Sequence, residues 1–487
     1  MTRPTTLGAL RESGWRPRSV RDEIRDNLKA ALGRGEDLFP GVIGYEKTVV
    51  PQLVNAVLSR HNFILLGLRG QAKTRILRGL TRFLDEAIPV VEGSEIRDDP
   101  LEPIGADTRR RIEAEGDDLP IRWITREERY VEKLATPDVT IADLIGDIDP
   151  IKAANRRLDF ADPEVIHYGV IPRANRGLFA INELPDLAPR IQVGLLNLLE
   201  EGDIQIRGFP IRLPLDVLMV FSANPEDYTN RGNIITPLKD RIESQIQTHY
   251  PQKLEHALAI TEQEAWLDRD GIECKIPGFF PEIIEEVAFE ARRSEFVDQN
   301  SGVSARVTIS ALENLISNAE RRSLMQGQST CMPRICDLGN TLPSITGKIE
   351  LVYEGEQEGT LAVAHHIIGR AVKAVFARLY PEAEQLEADR DRDETPFREV
   401  IDWFSATNQV VVTDDMPDDE YLATLDKVAG LRSLAAKTGV DDSQIGPAME
   451  LVLEGLHQYS MISREDLDGG GTSYGDLLGN MLSQLNE

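Results

Sequence analysis

Cysteine, histidine and aromatic residues are all sparse, with 3 Cys, 7 His and 6% Phe, Trp and Tyr in 487 residues. Three cysteines cannot all pair, and no histidine stands at zinc spacing beside Cys274, Cys331 or Cys336, so neither a metal nor a disulfide role is expected of them. Long apolar runs are missing as well. Phe63–Leu66 and Val217–Phe221 are the longest, far below the roughly 20 residues that cross a bilayer. The opening residues carry charges and no continuous apolar segment of the kind a secretory signal needs. No membrane span and a cytoplasmic location are expected.

Basic residues are short relative to acids: 54 Lys and Arg against 82 Asp and Glu leave a net charge of −28. Such a surface repels a phosphate backbone, which releases its counterions to clustered cations. Nucleic acid is therefore not the expected partner, while an acidic face suits a basic protein.

What remains is an ordinary globular composition, 41% hydrophobic and 28% charged, in a chain long enough for about three compact units. Residues 1–37 read as an amphipathic helical lead. From 38 to 250, short β-type runs alternate with helical patterns, which predicts an α/β fold with a parallel sheet covered by helices. Phe63–Leu66, Gly177–Ile181 and Val217–Phe221 qualify as buried strands, each followed by polar residues at the carboxyl end, where ligands of open parallel sheets bind. From 251 to 380 the pattern turns helical, with Ile283, Ile284, Val287 and Ala288 on one stripe and Ile309, Leu312, Leu315, Ile316 and Ala319 on another. Residues 381–487 form an acidic helical region in which Leu422, Leu425, Val428 and Leu431 restart a helical face. A charged stretch around 384–396 reads as a solvated linker, and D-G-G-G at 468–471 as a joint.

The chemistry concentrates at strand ends. G-L-R-G-Q-A-K-T at 67–74 follows the first strand and precedes a helical segment. In a strand–loop–helix phosphate site, backbone N–H groups of Gly67, Gly70, Gln71 and Ala72 face the phosphates, Lys73 reaches the β- and γ-phosphates, and the Thr74 hydroxyl meets Mg²⁺. Ala72 occupies the usual glycine before the lysine. The bland alternative is a glycine-containing turn. About a hundred residues on, G-L-F-A-I-N-E-L ends a buried strand in Asn182 and Glu183, the place and shape of a Walker B segment. Asn182 offers an oxygen to a water-bridged Mg²⁺ without the usual Asp charge, and Glu183 suits the role of orienting the attacking water. Capping polar residues at a strand end are the competing explanation.

S-A-N-P-E-D-Y sets Asn224 after the next strand, where an amide can hold the nucleophilic water, although Asn before Pro also simply makes turns. Residues 204–213 alternate about Gly208, Phe209 and Pro210 and read as a β-hairpin. Arg241 and Arg306 are candidates to neutralise a transferring γ-phosphate, one from a neighbouring subunit and one from a lid. Either arginine alone is more often a surface ion-pair partner.

Together, from about Phe39 to about Gln326, these segments resemble the AAA+ ATPases of the magnesium-chelatase I-subunit and MoxR families. H-Y-G-V-I-P-R-A-N-R-G-L-F-A-I-N-E-L-P-D-L looks like the chelatase segment leading into Walker B. The E-E-G-D-I-Q-I-R-G-F-P-I-R-L-P stretch and S-A-N-P-E-D-Y look like its hairpin and sensor-1 strand. The resemblance implies an αβα core with a helical lid, ATP and Mg²⁺ as cofactors, a hexameric ring, Arg241 as trans finger and Arg306 as sensor 2. It also implies a protein partner carrying a von Willebrand factor A domain. Residues 88–134 match the family's insertion before the second strand, with R-Y-V-E-K-L-A at 129–135 included. Ala72 and Asn182 depart from the pattern and bear on hydrolysis rate more than on nucleotide binding. Three readings follow: a working ATP-driven remodeller, a genuine magnesium-chelatase ATPase subunit, and a nucleotide-binding scaffold with little or no turnover.

Overall fold

Three apolar runs and two half-polar ones pair in parallel to carry the first half of the chain. They are β1 (Phe63–Leu66), β2 (Tyr130–Leu134), β3 (Gly177–Asn182), β4 (Val217–Ala223) and β5 (Ser244–Gln247), hydrogen-bonded in the order β5-β1-β4-β3-β2. The computed structural model describes residues 3–149, 151, 165–206, 212–225, 232–388, 395–467 and 470–477. It divides into two units, Met1–His249 and Tyr250–Glu487.

Alternation along the central strands feeds two separate cores, because successive strand side chains point to opposite faces. Phe63, Leu65, Leu178, Ala180, Leu218 and Val220 face one cluster, while Ile64, Phe179, Ile181, Met219 and Phe221 face the other. Parallel strands covered on both faces need this continuous apolar character. The edge strands do not: β5 buries only Ile246, and β2 leaves Glu132 and Leu134 exposed or partly so. The result is a mixed α/β arrangement, a parallel sheet between helical layers.

The lead packs onto this sheet. Helix α1 (Val20–Arg34) is capped by Ser19, whose hydroxyl accepts from the Asp22 N–H at 3.2 Å, and ends at Gly35 in the left-handed region (φ 68°). Its Val20, Ile24, Leu28 and Ala31 join Phe63 and Leu65 in one cluster, each large aliphatic contributing roughly 1.5–3 kcal/mol by leaving water. Glu23 on the same helix is buried against Arg129 in a bidentate pair, both contacts at 2.6 Å.

Before β2, Ala87–Val91 pairs antiparallel with Ile121–Thr125, and Ala106–Glu115 is helical. The 129–135 segment, read from the sequence as part of an insertion, supplies β2, an edge strand of the parallel sheet. After β3, Asp203–Gln205 pairs antiparallel with Arg212–Pro214. The hairpin turn expected at Gly208, Phe209 and Pro210 lies outside the described residues, as do parts of the 384–396 stretch and of the joint at 468–471.

In the second unit, helices α2 (Phe279–Arg293), α3 (Arg306–Met325), α4 (Thr360–Leu379) and α5 (Ile445–Gln458) surround one cluster that runs from Phe280 and Leu315 through Phe376 to Leu453 and Tyr474. Both expected stripes lie on helices. Residues 418–435 differ from expectation: Asp418–Leu425 and Leu431–Ala435 are separate helices, broken at Gly430 with φ 76°. A three-stranded antiparallel sheet of Val410–Thr413, Gly471–Gly475 and Ser463–Asp466 also stands in a region whose sequence suggests only helices. Among the described residues no helix is long and apolar enough to cross a membrane.

Candidate functional site

Beyond Leu66 the chain turns across the carboxyl edge of the sheet. The Gly67 N–H donates to Ala223 O at 3.1 Å and the Thr248 N–H to Leu66 O at 2.8 Å, so the loop begins between the ends of β4 and β5. Gly67 has no room for a side chain, since a Cβ there would run into Thr248 Oγ1 and Gln71 Oε1. These two atoms bond to each other, Thr248 Oγ1 donating to the buried Gln71 Oε1 at 2.6 Å. From the other side the Tyr45 hydroxyl lies 3.1 Å from Gln71 O and 2.7 Å from His249 O, with its ring edge-on to the His249 imidazole. The loop is therefore held from β5 and from the segment preceding Val49–Leu58.

Two residues of the loop adopt positive φ. Gly70 does so without steric cost at 74°, whereas Ala72, at φ 55° and ψ 15°, places a Cβ where the left-handed region disfavours it by roughly 1–2 kcal/mol. That conformation is the physical reason a glycine suits this position. Lys73–Gly79 is helical, and the buried Lys73 curls back so that Nζ donates to Gly67 O and, at 3.1 Å, to Leu68 O. Thr74 follows in the first turn, half-buried.

Sheet register brings the other candidates to the same edge. Leu66 pairs with Ala223 and Phe221 with Ile181, so Asn224 follows β4 beside Gly67, and Asn182 and Glu183 lie two strand spacings from β1, roughly 10 Å away. Asn224 is buried. Asn182 Oδ1 accepts from Ser222 Oγ at 3.2 Å, and the same hydroxyl accepts from the Glu183 N–H at 3.3 Å. Glu183 sits in the left-handed region with φ 55° and ψ 51°, half-buried, with Oε2 shielded from solvent. A non-glycine residue held there stores on the order of 1–3 kcal/mol, which its surroundings must offset.

The two arginine candidates stand at helix ends. Arg241 ends the short helix Thr236–Arg241, with Nε and Nη2 on Glu200 Oε2 at 2.8 and 2.5 Å and Nη1 on Pro237 O at 3.0 Å. Arg306 opens α3 in the second unit, exposed, its N–H donating to Ser304 Oγ at 3.2 Å. The structure thus gathers the loop, Lys73, Thr74, Asn182, Glu183 and Asn224 at one sheet edge, while Arg241 is paired with Glu200 and Arg306 belongs to the second unit. Sequence reading passes over Ser222, Thr248 and Tyr45. Ser222 stands two residues before Asn224 in S-A-N-P-E-D-Y, the only local signal any of the three offers.

A triphosphate with a divalent cation calls for backbone N–H groups, an ammonium and oxygen ligands; the loop, Lys73 and Thr74 stand beyond β1, and Asn182, Glu183 and Asn224 at the ends of the two strands next to it.

No protein-family model matches the chain. Over 241 residues it is 25% identical to the magnesium-chelatase 38 kDa subunit of Rhodobacter capsulatus, covering 48% of this chain and 61% of the relative. Over 237 residues it is 26% identical to the same subunit of Cereibacter sphaeroides, covering 47% and 64%. The match therefore spans less than two thirds of the length of either relative. A 78-residue stretch is 39% identical to the hydrogenase transcriptional regulatory protein HoxA of Cupriavidus necator, 16% of each chain. Among solved structures, the complex between subunits BchI and BchD of magnesium chelatase aligns with a TM-score of 0.36 and 19% identity, over 66% of this chain and 98% of that one.

Proposed function

We propose that this chain is an AAA+ ATPase of the kind its likeness to the magnesium-chelatase 38 kDa subunits suggests, and that it binds Mg-ATP at the carboxyl edge of β1, β4 and β3 and hydrolyses it. The observation that carries the reading is the convergence of Lys73, Glu183 and Asn224 on one edge, beyond the carboxyl ends of three neighbouring strands in register. Loop N–H groups and Lys73 would hold the β- and γ-phosphates. Thr74 Oγ1 and, through water, Asn182 would hold Mg²⁺, which when bound would supply positive charge against the β- and γ-phosphates. Glu183 would orient the attacking water, with the Asn224 amide fixing its other side.

The Arg241 contact with Glu200 leaves its guanidinium half-exposed, which suits a finger that changes partner when a second copy docks. On this reading the subunits form a ring, a hexamer by family resemblance, with Arg241 acting in trans and Arg306 as sensor 2. The ring remodels or activates a protein with a von Willebrand factor A domain.

Two specific features favour a second reading, a nucleotide-binding scaffold with slow turnover. Ala72 holds the loop at a conformational cost, and Asn182 brings no charge to the cation. A true magnesium-chelatase subunit is the third reading, and its partner subunits encoded in the same genome would be its mark.

Steady-state phosphate release by the purified chain with Mg-ATP separates these. The motor requires turnover that disappears in Lys73→Ala together with nucleotide binding, and disappears in Glu183→Gln while binding persists. Binding without turnover, in the presence and absence of a candidate partner, selects the scaffold. Undiminished turnover in Glu183→Gln overturns the site.

A further inference from the structure

Two short strands of the second unit, Glu273–Cys274 and Thr330–Cys331, pair in parallel with Cys274 opposite Cys331. The Glu273 N–H donates to Ser329 O at 3.1 Å and the Lys275 N–H to Cys331 O at 2.8 Å, so the two backbones are locked on both sides of the cysteines. The thiols are unbonded, yet their Sγ atoms lie 2.6 Å apart. They occupy a small apolar cluster with Ile272 and with Ala319 of α3. Cys331 is buried and Cys274 half-buried. The third cysteine, Cys336, belongs to a different neighbourhood, beside Asp337, which Arg322 neutralises at 2.6 Å.

We propose that Cys274 and Cys331 form a reversible disulfide, making this strand pair a redox modification site independent of the nucleotide reading. A pair of sulfurs already held face to face by strand register needs little backbone movement to bond. With a small-molecule disulfide such as oxidised glutathione as oxidant, the Cys274 thiolate attacks one glutathione sulfur, forming a mixed disulfide and releasing one glutathione thiolate. Cys331 then loses its proton and attacks Cys274 Sγ, releasing the second. Two protein thiols give up two electrons, and one glutathione disulfide becomes two glutathione molecules. Burial, together with the neighbouring thiol, pushes the Cys331 thiol up, so the more exposed Cys274 meets the oxidant first.

The bond would close a loop between cysteines 57 residues apart. It would staple the segment after Leu254–Glu264 to the strand that follows α3, whose opposite end carries Arg306. Closing a loop of that length restricts the unfolded chain, and a rise in melting temperature of several degrees is expected.

The test is thiol alkylation and peptide mass mapping of the full chain after exposure to oxidised glutathione, with Cys274→Ser and Cys331→Ser alongside. The proposal expects one alkylatable thiol, Cys336, to remain, and a cross-linked Cys274–Cys331 peptide. The melting temperature should rise in the wild type only and fall back on dithiothreitol treatment. Three alkylatable thiols after oxidation, or glutathione left attached to Cys274 with no cross-link, overturns it. Because the wild type is read directly, a variant that folds poorly does not decide the outcome.

Discussion

The Ser222 hydroxyl donates to Asn182 Oδ1 at 3.2 Å and accepts from the Glu183 N–H at 3.3 Å, so one buried side chain on β4 orients both polar residues at the end of β3. It holds the Asn182 amide oxygen toward β4, and its bond from the Glu183 N–H supports that residue in its left-handed conformation. Ser222→Ala removes both bonds, each worth about 1 kcal/mol. The expected result is phosphate release reduced on the order of tenfold with little change in nucleotide affinity, and recovery in Ser222→Thr. Equal losses of affinity and turnover would mean that Ser222 only supports the fold.

Ala72 makes the opposite case, a position where substitution should improve the protein. Its φ of 55° is one that glycine adopts freely. Ala72→Gly should relieve about 1 kcal/mol of backbone strain, partly offset by the greater freedom of glycine in the unfolded chain. Ala72→Val should lose more than that. Nucleotide affinity by equilibrium titration, compared across the three chains, should follow the order Gly, Ala, Val. A flat series would mean that the loop changes conformation when nucleotide binds.

How much of this is legible in the sequence follows from the range of each interaction. β1, β3 and β4 are legible because both faces are covered, so their apolar runs are unbroken. β2 and β5 are not, because Tyr-Val-Glu-Lys-Leu and Ser-Gln-Ile-Gln are edge strands with polar flanks. The strand–loop–helix unit in which Lys73 and Thr74 open the helix is legible from local spacing. Ser222 with Asn182, Thr248 with Gln71, and Cys274 with Cys331 join residues 40, 177 and 57 positions apart, where periodicity carries no information. The apparent helical face at 422–431 misleads for a local reason: the spacing is helical, but Gly430 takes a left-handed turn inside it.

Glu23 and Arg129 test whether the lead is integral to the first unit. Both side chains are almost wholly buried, and Arg129 also donates to Arg176 O at 2.8 Å. Glu23→Ala leaves a buried guanidinium without its carboxylate, a change that costs about 3–5 kcal/mol. Denaturant melts should show the first unit destabilised by that order. The Glu23→Ala, Arg129→Met double variant should recover part of the loss, because no lone charge then remains in the interior. A Glu23→Ala effect below about 1 kcal/mol would place this pair in contact with water.

Asp216 gives the same junction a pH dependence. Its carboxylate accepts from the Val20 N–H at 2.8 Å at the start of α1, and burial pushes its pKa from 3.8 up to about 6 despite that bond and the nearby Arg176 and Arg129. The folded state then holds the proton more tightly than the unfolded state. The stability linked to this group is complete below its unfolded pKa, falls as pH rises between the two values, and is level above the folded one. Asp216→Asn keeps an oxygen for Val20 and removes the ionisation. The stability of this variant relative to wild type should therefore increase by about 1 kcal/mol between roughly pH 5 and pH 7 and stay flat above that. Denaturant melts of both chains across that interval read the difference directly, and a constant offset at every pH would mean that Asp216 is already ionised at pH 5 in the folded protein.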